Sequence, residues 1–69
     1  MTVQRWEYTF AYARTDPEGV WICPIGEHDV LMSAFFASLG DDGWELVTSA
    51  GPTESTDGIV TFIFKRPKA

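Results

Sequence analysis

Leu39-Gly40-Asp41-Asp42-Gly43-Trp44-Glu45-Leu46-Val47 decides how this chain folds. Ahead of it, Leu31, Ala34, Phe35, Ser38 and Leu39 recur at helical spacing, and Met32 and Phe36 widen the stripe. Gly40 is placed to cap that helix in a left-handed conformation, and Asp29 is the expected N-cap. Asp41 and Asp42 keep the turn wet, and Gly43 permits a sharp turn into a strand. There Trp44, Leu46 and Thr48 share one face, and Glu45, Val47 and Ser49 share the other. Trp44 is expected to pack under the helix as core rather than to serve a ligand.

Working outward, residues 5–13 alternate with a period of two. Trp6, Tyr8, Phe10 and Tyr12 fall on one side; Arg5, Glu7, Thr9, Ala11 and Ala13 fall on the other. Asp16-Pro17-Glu18-Gly19 has the residues of a type I turn. Val20–Ile25 reads as a short second strand, which Pro24 assigns to an edge or ends. After the helix and the Trp44–Ala50 strand, Gly51–Gly58 reads as a long solvated hairpin loop. Ile59–Arg66 is the fourth strand, with Val60, Phe62 and Phe64 set against Ile59, Thr61, Ile63 and Lys65. The expected fold is α+β: an antiparallel four-stranded sheet in the order ββαββ, with one helix packed on one face. Trp6, Tyr8, Phe10, Trp44, Leu46, Phe62 and Phe64 are expected beneath the helix. The uncovered face should then carry Glu7, Thr9, Ala11, Glu45, Val47, Ile59, Thr61, Ile63 and Lys65, with a charged end where Arg5, Glu7, Glu45 and Lys65 meet.

Sixty-nine residues make one domain. So short a chain buries only about 60% of its unfolded surface. With one cysteine, no intrachain disulfide can staple it, and one Cys and one His do not close a four-ligand zinc site. That leaves a dense aromatic core, supplied by three Trp, five Phe and two Tyr, or self-association. The net charge of −5 and the scattered Arg5, Arg14, Lys65, Arg66 and Lys68 argue against nucleic acid as a partner. No stretch approaches 18 apolar residues, Met1–Arg5 lacks the apolar run of a signal peptide, and the lone thiol fits a reducing compartment. A cytoplasmic location is the expectation, with a frayed tail at Pro67-Lys68-Ala69.

Catalytic signatures are thin. His28 lies between Glu27 and Asp29, but sequence neighbours rarely converge on one point, so it reads as a solvated residue at the helix start. Cys23 sits in the apolar run Val20-Trp21-Ile22-Cys23 and reads as a small hydrophobe rather than a nucleophile paired with His28. A catalytic carboxylate pair needs burial, whereas Asp41 and Asp42 read as turn residues and Glu54 and Asp57 as residues of the long solvated loop. No phosphate-cradling glycine loop or calcium loop is present, and no cofactor is called for.

Trp6-Glu7-Tyr8, the Leu39–Val47 motif and Phe64-Lys65-Arg66-Pro67 together resemble the family called domain of unknown function 4177, small bacterial and phage proteins. The resemblance runs from about Arg5 to Pro67, and the middle motif is its most specific part. The chain looks longer than typical members between Tyr12 and His28. The resemblance implies a small α+β fold and supplies no catalytic residues. The expected function is a non-enzymatic interaction or regulatory module that pairs with a second copy, a dimer foremost, through its sheet. Val47, Ile59, Thr61, Ile63 and Trp21 are the candidate contacts. The alternative is a binder of small ligands with its site at a subunit interface.

Overall fold

A computed structural model describes residues 3–51 and 58–69. Among the described residues the fold is α+β with one helix, and its antiparallel sheet has five strands rather than four. The elements are β1 (Trp6–Thr15), β2 (Trp21–Ile25), β3 (His28–Leu31), α1 (Met32–Asp41), β4 (Glu45–Ala50) and β5 (Val60–Pro67). The sheet order is β3-β2-β1-β5-β4. The hairpin loop expected between β4 and β5 falls, for residues 52–57, outside the described residues, as do Glu54 and Asp57.

The turn between β1 and β2 forms as its residues dictate. The Gly19 amide donates to the Asp16 carbonyl (2.9 Å), and the Asp16 carboxylate accepts from the amides of Glu18 and Val20, both at 2.9 Å. Gly19 takes the left-handed conformation (φ 88°) that lets this three-residue loop match the strand twist.

The extra strand corrects the start of the helix. Gly26 and Glu27 make a tight turn that returns the chain as β3, so His28 and Asp29 pair with Ile25 and Pro24 in a ladder. Asp29 is therefore not the N-cap. Leu31 takes that position with no side-chain cap, and the Asp29 carboxylate meets Arg14 at 3.5 Å. β2 is consequently not an edge: it pairs with β1 as well as β3. The ladder to β1 reaches only Trp21 and Ile22 and stops short of Pro24, which has no amide hydrogen to add to it.

The end of α1 shifts as well. The Gly43 amide bonds to the Gly40 carbonyl and the Trp44 amide to the Leu39 carbonyl, each at 2.9 Å. This pair of bonds is the Schellman closure, and its left-handed residue is Gly43 (φ 88°), not Gly40. Gly40 belongs to the helix itself.

Candidate functional site

β1 and β5 pair along most of their length, and their register fixes which side chains share a face. Thr9, Ala11 and Ala13 stand opposite Phe64, Phe62 and Val60; Tyr8, Phe10 and Tyr12 stand opposite Lys65, Ile63 and Thr61. Phe36 of α1 meets Phe62 and Phe64 edge-on, with ring centroids 5.0 and 5.1 Å away. The helix thus covers the first set. Half-buried Met32, Phe35, Phe36 and Leu39 form its inward stripe.

Sequence alternation divides β1 correctly into two sets but assigns them to the wrong sides. Phe62 and Phe64 do lie under the helix as expected. Trp6, Tyr8 and Phe10 do not: with Tyr12 they project from the opposite face, 39, 57, 56 and 52% exposed. The cause is volume. Phe36, Phe62 and Phe64 fill the space beneath α1, so β1 can offer only small residues there, and Ala11 and Ala13 are fully buried. Glu7 and Arg66 follow the same register onto the helix side and form an ion pair, so Glu7 is not part of an open charged end. Arg66 also donates to the Asp42 carbonyl (2.8 Å) and lies 4.2 Å over the Trp44 ring. A cation thus sits against the partly negative end of the helix and ties the Asp41-Asp42-Gly43-Trp44 turn to the sheet.

The open face is the candidate site. The stripe Trp6, Tyr8, Phe10, Tyr12 runs along β1 for about 20 Å at ~3.4 Å per residue. Beside it stand Thr61 and Ile63 of β5 and, further out, Thr48 and Ala50 of β4. At about 200 Å² per aromatic side chain, the four leave on the order of 400 Å² of ring surface in water. That alone is in the range of the largest patch on a typical monomer. At the Trp6 end the Lys65 ammonium lies 4.2 Å over the indole, with Glu45 paired across from Lys65. The Trp6 ring is therefore capped by a positive side chain, and the neighbouring strand β4 brings a negative residue to the same end of the face.

Of the residues expected to make contacts, Thr61 and Ile63 lie on this face beside the stripe. Val47 occupies an irregularity in the β4 ladder, where the register shifts between Leu46 and Thr48, and is 48% exposed. Ile59 directly precedes β5 and is half-buried. Trp21 pairs with Thr15, whose side belongs with Ala11 and Ala13, and so stands by register on the other side of the sheet. The four aromatics of β1 escaped the sequence reading of the contact face. The signal for them was the contrast between Ala11-x-Ala13 and the large residues alternating with them.

The reactive groups are dispersed. Cys23 is fully buried and free, and burial pushes its thiol pKa up, which opposes formation of the thiolate nucleophile. His28 is exposed at the start of β3. Among the described residues no three His, Cys, Asp or Glu side chains converge to hold a metal ion, and no ligand-sized pocket opens. Among them, too, no helix is long and apolar enough to cross a membrane. Compared with family models, curated proteins and solved structures, the chain matches none.

Proposed function

We propose that this protein is a non-enzymatic interaction module that self-associates through the open face of its sheet. The observation that carries the proposal is the row of four half-exposed aromatics on the central strand. A second copy is the occupant the surface fits. Each partner in a standard interface buries about 800 Å². The four rings supply on the order of 400 Å² of that, and Thr61, Ile63, Thr48 and Ala50 beside them extend the same face. Charge agrees: although the chain carries −5, the open face holds one charge of each sign at one end, Lys65 on β5 and Glu45 on β4, so it does not share the net negative charge that would repel a second copy.

Membership of the domain of unknown function 4177 family belongs to the same proposal and rests on the three motifs. Size-exclusion chromatography with light scattering tests the self-association. The expected species is twice the chain mass at micromolar concentration, and Phe10→Glu, at a half-exposed position, returns it to a monomer whose circular dichroism matches the wild type. A wild-type monomer at high micromolar concentration overturns the proposal. The alternative, a ligand site at the subunit interface, draws on the aromatic lining of the same face. It predicts that small aromatic compounds raise the melting temperature of the wild type and not of Phe10→Glu.

A further inference from the structure

From the same open face we infer how the second copy is seated: the two copies form a closed two-fold dimer in which β1 crosses the partner's β1 antiparallel, with β1-β5-β4 stacked on the same three strands. This rests on the self-association proposed above. Three features fix the arrangement.

The first is that the aromatic stripe is self-complementary. A contact between the stripe of one copy and a different surface of the next builds a ring or an open filament. A two-fold centred on the stripe covers it on both copies and closes at two.

The second is lateral. On one side of β1 the sheet continues along Trp6–Ala13 through β5 and then β4; on the other, β2 pairs only with Arg14 and Thr15. The platform is therefore one-sided along most of the stripe. When two sheets face each other about a two-fold axis lying along the strands, β1 runs parallel to its copy and the lateral order is reversed. β5 and β4 would then hang over a region with no sheet beneath it. With the axis in the plane and across the strands, β1 runs antiparallel and the lateral order is kept, so β5 and β4 cover β5 and β4. The sheets can then stack about 10 Å apart at the usual small angle.

The third is electrostatic. Lys65 leans over Trp6 at one end of the stripe. The antiparallel crossing sends the two ammonium groups to opposite ends of the interface, where each remains near water. The parallel crossing gathers both at one end and desolvates like charges together.

Spin labels distinguish the arrangements. Glu18 lies in the exposed turn beyond β1, and the buried Cys23 does not compete for the label, so Glu18→Cys in the full chain carries one nitroxide. The centre of the stripe is near Thr9. Six residues to Thr15 span about 20 Å and the turn adds roughly 5 Å, so each label sits about 25 Å from the axis. Electron double resonance is expected to give a single distance of about 50 Å, twice that offset, lost in Phe10→Glu. A distance below roughly 30 Å in a Phe10-dependent dimer overturns the antiparallel seating and leaves self-association through the face standing. Growth beyond the dimer with concentration overturns the closed two-fold. A monomer, or a dimer that survives Phe10→Glu, removes both this inference and the reading beneath it.

Discussion

Phe10 and Phe64 stand one residue apart along the paired β1 and β5 but on opposite faces, and truncating each to alanine should have opposite consequences. Phe64 is 3% exposed and packs edge-on against Phe36. Phe64→Ala removes a fully buried ring, at a cost of about 3–5 kcal/mol. A core of this size seldom supplies more than that in total, so the variant should be largely unfolded at room temperature. Phe10 leaves 56% of its surface in water. Its truncation should cost the isolated chain only about 1.5 kcal/mol, from the part of the ring already covered. In the proposed dimer the exposed part, about 110 Å², would be buried as well, worth ~2.8 kcal/mol per chain at about 25 cal/mol per Å². Alanine keeps some of that, leaving about 2 kcal/mol per chain and about 4 kcal/mol per dimer. The dissociation constant should therefore rise on the order of a thousandfold. Sedimentation equilibrium gives that constant, and urea unfolding at low concentration gives the intrinsic stability. A dissociation constant changed by less than threefold, or a stability loss in Phe10→Ala equal to that in Phe64→Ala, would refute the assignment of faces and the interface built on it.

Two glycines of the helix end give a further test, with opposite signs. Gly43 has φ 88° and open space where a Cβ would go, so Gly43→Ala meets only backbone strain. It should cost about 1–2 kcal/mol in urea unfolding. Gly40 is helical with the same open space. Gly40→Ala should therefore be neutral or stabilising by a few tenths of a kcal/mol. Arg66→Met keeps the stem over Trp44 but loses the bonds to Glu7 and the Asp42 carbonyl. The expected loss in urea unfolding is about 1 kcal/mol, discounted because the side chain is partly exposed, with the ion-pair part shrinking as salt is added. Burial raises the Cys23 pKa, so above the ordinary thiol value of about 8.5 the unfolded chain releases a proton that the folded chain keeps. Stability is thus fully present below that pH and falls as pH rises toward the folded pKa. Cys23→Ala, followed by unfolding at a series of alkaline pH values, should lack this slope.

The sequence made the local elements legible because each is specified by neighbours. Asp16-Pro17-Glu18-Gly19 sets its own turn, and the alternation from Trp6 to Tyr12 defines a strand. β3 escaped because His28-Asp29-Val30-Leu31 is too short for periodicity to separate it from the start of a helix. Its register comes from β2, across a Gly26-Glu27 turn. The orientation of β1 escaped for a deeper reason. A period of two sorts side chains into two sets but does not say which set meets the helix; that is decided by the register with β5, and a shift of one residue inverts it. Ring size was the wrong guide, because Phe62 and Phe64 had already filled the space that Trp6, Tyr8 and Phe10 were expected to share. Of the candidate contacts, Thr61 and Ile63 fall on the open face because the alternation of β5 is oriented as the sequence implies.

This packing also explains why so aromatic a chain has so thin a core. Among the described residues, the buried ones are Ala11, Ala13, Ile22, Cys23, Val60 and Phe64, and no residue of α1 joins them. A helix of 10 residues covers Phe62 and Phe64 but leaves Leu46, on its own side of β4, 48% exposed. The stripe of β1 therefore holds apolar surface that folding of a single chain does not use. If a second copy uses it, folding and association are one linked equilibrium. The melting temperature should then climb with protein concentration, and Phe10→Ala should abolish the climb while lowering the melting point extrapolated to dilute chain by several degrees, far less than Phe64→Ala does. A concentration-independent melting point in the wild type would mean that the thin core alone suffices, and that the exposed part of the β1 rings adds nothing through association.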